Sequence, residues 1–159
     1  MTVGIHPAAR VQAAPSPEGR RRFANVEELL ADARSRLDRV LPEQAATEAL
    51  GGARLVDIRP IWQRLMQGEI PGAMVVERNH LEWRLDPTSP ARVDGATPHQ
   101  RWIVFCVEGY TSSLAADALR SIGLDATDMI GGFDAWQQAG LPTVPGATPT
   151  NEVTPTEPR

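Results

Sequence analysis

The sequence predicts an α/β protein built on an open, mainly parallel sheet. Short apolar, β-branched runs such as RLVDI (54–58) and RWIVF (101–105) alternate along the chain with segments of helical period. No internal repeat is present, so the alternation describes one sheet whose strands are joined by right-handed crossovers. At 159 residues the chain has room for one domain with tails.

The elements follow in order. Residues 1–22 have no hydrophobic period and several prolines, which predicts a disordered arm. Val26, Leu29, Leu30, Ala33, Leu37, Val40 and Leu41 fall near one face of a helix over 26–41. Asn25 is its N-cap, with Glu28 three residues on, and Pro42 is its stop. A second helix over 43–50 ends at Gly51-Gly52. The strand at 54–58 leads to a helix over 61–66, the turn GEIPGA (68–73) and a strand over 74–77. One or two helical turns over 80–85 precede a Pro-, Ser-, Thr- and Gly-bearing surface loop at 86–100. Strand 101–105 is the clearest in the chain, and Cys106 stands at its C-terminal end. A helix over 112–122, a strand over 126–130 and a helix over 133–139 complete the domain, assigned to 23–142. The Pro- and Thr-rich stretch 143–159 is expected to be a disordered tail.

Composition excludes several function classes. A net charge of -4 gives no basic stripe for nucleic acid. The lone cysteine cannot form an internal disulfide or a Cys-cluster zinc site. No apolar run approaches the roughly 20 residues that cross a bilayer, and no signal-peptide h-region is visible, so the expected location is cytoplasmic. All 16 basic residues are Arg, which removes Schiff-base chemistry and a P-loop lysine.

What remains is Cys106. A free cysteine is often a buried structural residue, but ligands of open α/β sheets bind beyond the carboxyl ends of strands, where this one falls. The segment Cys106-Val107-Glu108-Gly109-Tyr110-Thr111 joins a strand to a helix beginning near Ser112. Gly109 can adopt a positive φ, which lets successive N–H groups turn inward as an anion-binding nest. The helix N-terminus adds further unsatisfied N–H groups. Such surroundings are expected to favour the thiolate and to stabilise a terminal persulfide anion.

Three separated motifs then resemble those of the rhodanese-like family. They are Leu55-Val56-Asp57-Ile58-Arg59 with the turn from Gly68 to Ala73, the cysteine loop with Gly at its fourth position, and Gly131-Gly132-Phe133-Asp134-Ala135-Trp136 running on to Gly140-Leu141-Pro142. They span 54–142 in the family's order. The resemblance implies a five-stranded, mainly parallel sheet with helices on both faces. It also implies a sulfurtransferase in which Cys106 takes sulfane sulfur from thiosulfate or a persulfide and passes it to cyanide, a thiol or a protein acceptor. No metal or organic cofactor is implied. Val107, Glu108, Gly109, Tyr110, Thr111 and Ser112 are the implied substrate-binding loop, and the Thr111 hydroxyl is placed to contact the sulfur.

The sequence departs from the family pattern at two points. Glu69 stands where the turn usually carries His, expected to be a surface change. Val107 and Glu108 replace the Arg or Lys that many loops carry after the cysteine, which disfavours thiosulfate as donor. Asp57 and Arg59 are expected to brace the loop as a hydrogen-bonded pair. Arg78 and Asn79 should emerge on the same sheet edge, with Arg78 able to restore positive charge and His80 close by. Trp62, Trp83 and Trp102 read as packing residues, Trp83 also as a wall of the site's mouth, and Trp136 as helix packing. Two other readings stand beside the sulfurtransferase. One is a non-catalytic sulfur-relay or protein-binding module. The other is a Cdc25-like phosphatase, weakened because Ser112 stands where that chemistry needs Arg.

Overall fold

The computed structural model describes residues 21–148; the expected arm up to residue 20 and the expected tail from 149 lie outside the described residues. Helix α1 (Val26–Arg34) and helix α2 (Pro42–Leu50) precede strand β1 (Arg54–Asp57) and helix α3 (Ile61–Gln67). Strand β2 (Met74–Val75), a 3-10 turn (Arg78–His80) and helix α4 (Leu81–Leu85) follow. Then come strand β3 (Arg101–Phe105), helix α5 (Thr111–Ser121), strand β4 (Asp125–Asp128) and helix α6 (Gly132–Gln138). The strands pair in the order β2-β1-β3-β4, all parallel.

The expected fifth strand is reduced to one residue. Val40 makes an isolated parallel bridge to Met129, donating its N–H to Asp128 O at 3.1 Å and accepting from Ile130 N–H at 2.8 Å. Leu41 is already the N-cap of α2, and Pro42 has no N–H to extend a ladder, so pairing stops there. The same bridge explains why α1 is shorter than the sequence predicts. It closes at Arg34, where the Ser35 hydroxyl donates to Asp32 O at 2.6 Å. Leu37 and Val40 are buried as predicted, but by an extended return to the sheet edge.

Alternation along β3 sorts the core into two layers. Trp102 and Val104 face one side with Val56, Leu81, Leu85, Ala115 and Leu119, and Cys106 follows in the same phase. Ile103 and Phe105 face the other with Val40, Ala45, Leu55, Phe133 and Trp136. Both faces of β3 are therefore dry, as its uninterrupted apolar run requires. Helix α1 packs on α5, and Arg36 ties them by donating to Asp32 and Asp117, each at 2.7 Å.

Side-chain burial corrects two sequence expectations. Trp102 and Trp136 are packed, the latter donating to Pro142 O at 2.9 Å, but Trp62 and Trp83 are exposed on α3 and α4. Glu69 is buried rather than superficial. It receives Arg64 at 2.9 Å and the N–H and hydroxyl of Thr148 at 2.7 and 2.9 Å, while its backbone pairs antiparallel with Val144. Residues 144–148 are thereby fastened to the domain. Among the described residues no helix is long and apolar enough to cross a membrane.

Candidate active site

Cys106 leaves β3 just beyond Phe105, whose carbonyl accepts the Ile58 N–H at 3.1 Å, so the thiol stands between the ends of β1 and β4. It is a free cysteine with 8% of its surface exposed. The Gly109 N–H donates to Sγ at 3.3 Å, and Sγ lies 3.3 Å from Ser112 Oγ. The hydroxyl that touches the sulfur belongs to Ser112, in the first turn of α5, and Thr111 is exposed.

The loop between Cys106 and α5 is a cradle because its carbonyls are held from outside. Phe133 N–H donates to Cys106 O at 2.8 Å and Asp134 N–H to Val107 O at 3.0 Å, both from the first turn of α6. The Gly109 carbonyl accepts from Arg34 Nη2 at 2.7 Å and Arg39 Nη2 at 3.3 Å, and Ser113 Oγ lies 3.2 Å from it. In a trans peptide the C=O and N–H point opposite ways. The N–H groups of Val107, Glu108 and Tyr110 therefore each point away from the group that holds the carbonyl of the same peptide. None of them is taken up by a protein acceptor among the described residues.

Two glycines make this approach feasible. Gly109 has φ +88, and a Cβ there would lie 2.9 Å from Gly131 N. A Cβ on Gly132 would lie 2.5 Å from the Cys106 carbonyl oxygen. The loop could then no longer rest on α6.

Behind the sulfur lies a buried carboxylate. Asp128, at the end of β4, is fully buried and is held bidentately by Arg39 at 2.9 and 3.1 Å. It accepts from Ser113 Oγ at 2.7 Å and from Ser112 Oγ at 3.3 Å. Arg34 Nε donates to Ser113 Oγ at 3.0 Å. A hydroxyl thus connects the Cys106 sulfur to an internal, charge-paired carboxylate.

On the other side of β3, Asp57 and Arg59 form a buried ion pair with contacts of 2.6–3.2 Å. Burial pushes the Asp57 carboxyl up from its ordinary value, against the opposing pull of the Arg59 guanidinium. Arg59 also donates to Gln67 Oε1 and Gly68 O, and lies 3.9 Å from the Phe133 ring centroid. It reaches the loop through the rings of Phe133 and, at 5.9 Å, of Phe105, the residue before Cys106. Arg78 and Asn79 line a recess of about 370 Å³ with Ile58, Pro60 and Glu77 beside the Cys106 edge. Arg78 is engaged by Glu82 at 2.7 Å, which neutralises it locally. His80 and Glu108 are exposed. A larger recess of about 470 Å³, lined by Glu48, Gly51, Gly52, Ala53 and Arg101, opens at the N-terminal ends of the strands, away from Cys106.

Sequence reading missed Arg34, Arg39, Ser113 and Asp128. The one available signal was the absence of cations inside the loop, which asks for charge from elsewhere. Among the described residues no group of three or more His, Cys, Asp or Glu is placed to hold a metal.

Comparison with known proteins agrees with this geometry. The family model for the rhodanese-like domain matches residues 41–139. A protein of unknown function from Rhodopseudomonas palustris, described as a possible tyrosine phosphatase, is 26% identical with a TM-score of 0.70, covering 83% of this chain and 100% of that one. Thiosulfate sulfurtransferase from Pseudomonas aeruginosa is 27% identical (TM-score 0.54), over 70% of this chain but 20% of that protein. The human single-domain sulfurtransferase is 27% identical (TM-score 0.51), over 63% and 95%. No curated protein matches by sequence.

Proposed function

From the premise that this chain belongs to the rhodanese-like domain family, we propose that it is a sulfurtransferase working through a Cys106 persulfide. The observation that supports this best is the pinning of the Cys106, Val107 and Gly109 carbonyls, which turns the loop N–H groups inward beside Sγ. Such a cradle suits a group that carries negative charge before and after transfer. The Cys106 thiolate attacks the outer sulfur of the donor and a new S–S bond forms. The donor's S–S bond breaks, and its electron pair leaves with sulfite, or with a thiolate when the donor is a persulfide. An acceptor thiolate or cyanide then attacks the terminal sulfur and returns the Cys106 thiolate. The Gly109 N–H meets the attacking sulfur, and the free N–H groups of the loop receive the persulfide anion.

The test is intact mass after incubation with thiosulfate or glutathione persulfide, followed by addition of cyanide. One added sulfur, discharged as thiocyanate, is expected, and Cys106→Ser should abolish both signals. Undiminished transfer in that variant would remove the nucleophile assignment. A persulfide that forms but does not turn over would favour a relay module instead.

The likeness to the Rhodopseudomonas palustris protein gives a second reading, phosphate ester hydrolysis. Against it, Ser112 occupies the position where an arginine would clamp phosphate, and its hydroxyl is on Sγ and Asp128. Hydrolysis of an aryl phosphate lost with Cys106→Ser, in the absence of sulfur transfer, would reverse the order of the two readings.

A further inference from the structure

The positive charge missing from the loop sequence reaches it from residues that precede the family-matched span. Arg34 ends α1 and Arg39 lies in the extended return to Val40, both before residue 41. Their guanidinium groups converge on one atom, the Gly109 carbonyl oxygen, at 2.7 and 3.3 Å. That carbonyl shares its peptide plane with the Tyr110 N–H. Holding the oxygen toward the guanidiniums aims the N–H the opposite way, into the cradle. The two cations differ in their own balance. Arg39 is matched by the buried Asp128, whereas Arg34 has no carboxylate partner among the described residues. Arg34 donates only to Ser113 Oγ and Gly109 O, and its guanidinium carbon lies 5.8 Å from the Tyr110 ring centroid. One uncompensated positive charge therefore sits directly behind the loop, in partly buried surroundings where screening is weak.

We propose that Arg34 and Arg39 are positioning residues of the Cys106 loop: they lock the Gly109–Tyr110 peptide with its N–H toward the substrate, and Arg34 gives the site its preference for anions. The inference rests on the sulfur-transfer reading for its biological sense, but its test does not depend on sulfur transfer. Iodoacetate and iodoacetamide alkylate the same sulfur and differ in charge, so the ratio of their rates on Cys106 reads the cradle's anion preference in the full chain. In Arg34→Met, which keeps the apolar stem over Tyr110, the iodoacetate to iodoacetamide ratio should fall about three- to tenfold, on the order of one charge-assisted hydrogen bond. Arg34→Lys, which keeps the charge, should retain most of the ratio, and methylguanidinium ions should restore part of it to Arg34→Met. A brace that is only structural would lower the thermal midpoint and leave the ratio unchanged. Arg39→Gln combined with Asp128→Asn removes the second guanidinium without stranding a buried carboxylate, and provides an independent variant if Arg34→Met does not fold. A ratio unchanged to within about twofold in either folded variant overturns the proposal. Wild-type protein that shows the anion preference but forms no persulfide would overturn the proposed function and leave this inference standing.

Discussion

Two buried ion pairs flank the central strand at the end that carries Cys106, and they differ in how they reach it. Asp57 ends β1 and is paired with Arg59, two residues away. Asp128 ends β4 and is paired with Arg39, 89 residues away in sequence. The first pair directs its remaining donors to Gln67 and Gly68, fixing the end of α3 and the following turn. The second shares its oxygens with Ser112 and Ser113 and, through Arg39, holds the Gly109 carbonyl. One pair secures the fold near the site. The other is wired into the cradle.

This difference predicts different responses to the same surgery. Arg59→Met removes a fully buried guanidinium and leaves Asp57 charged in the interior, a loss of about 3–5 kcal/mol in stability. Chemical denaturation should register that loss, while sulfur transfer per folded molecule stays within about threefold of wild type. Adding Asp57→Asn should recover much of the stability. Arg39→Gln combined with Asp128→Asn removes the partly exposed guanidinium without stranding the buried carboxylate, so it should cost less stability, yet lower transfer per folded molecule by about tenfold, the value of a charge-assisted hydrogen bond. Equal effects of the two variants on transfer would erase the distinction.

The two pairs also explain what could be read from sequence. Asp57 and Arg59 were legible because the partners are neighbours in a compact motif, and strand polarity puts them at the ligand-binding end of the sheet. The α/β class, the parallel sheet, the strand end at Cys106 and the importance of Gly109 followed from local pattern as well. Arg39 and Asp128 were not legible, since nothing local says that an arginine before α2 returns beside the end of β4. Predicting that contact requires the bridge at Val40, a single residue that carries no strand signature. The same bridge accounts for the overlong helix drawn over 26–41. The choice of Thr111 over Ser112 as sulfur partner failed for a smaller reason. The helix begins at Thr111, one residue earlier than its apolar period indicates, which turns Ser112 inward and Thr111 to solvent.

On the Asp57 side the brace continues outward through Arg64 and Glu69 to Thr148, and this extension should respond to acid. Desolvation raises the Glu69 carboxyl, but hydrogen bonds from the Thr148 N–H, Arg64 and the Thr148 hydroxyl outweigh it and hold the group below its ordinary value of 4.5. A carboxylate lowered in the folded state stabilises fully above its unfolded value and loses that contribution as pH falls through the folded one. Hydrogen exchange at the Thr148 amide should therefore open progressively below about pH 4.5, with the Cys106 loop still protected. Glu69→Gln should expose that amide at every pH. Loop and C-terminal segment opening together would show that the two sides of β3 are not separate units.

The smallest expected effect tests the charge balance of the cradle itself. Glu108 is exposed in the loop, with no ion pair among the described residues, while Arg34 approaches the same loop from behind. A unit of like charge about 6 Å from a bound anion costs about 3 kcal/mol at an effective dielectric near 20. Exposure and salt reduce this severalfold, leaving under about 1 kcal/mol and so roughly a three- to fivefold effect on rate. Glu108→Gln should accordingly raise kcat/KM for doubly charged thiosulfate by that factor, and for a less charged persulfide donor by less. The gain should shrink in high salt, because Glu108 acts through solvent, whereas the loss from Arg34→Met should persist because that guanidinium acts through a hydrogen bond in partly buried surroundings. Equal salt sensitivity in the two variants would mean that Arg34 acts as a distant charge like Glu108 and not by orienting the Gly109–Tyr110 peptide.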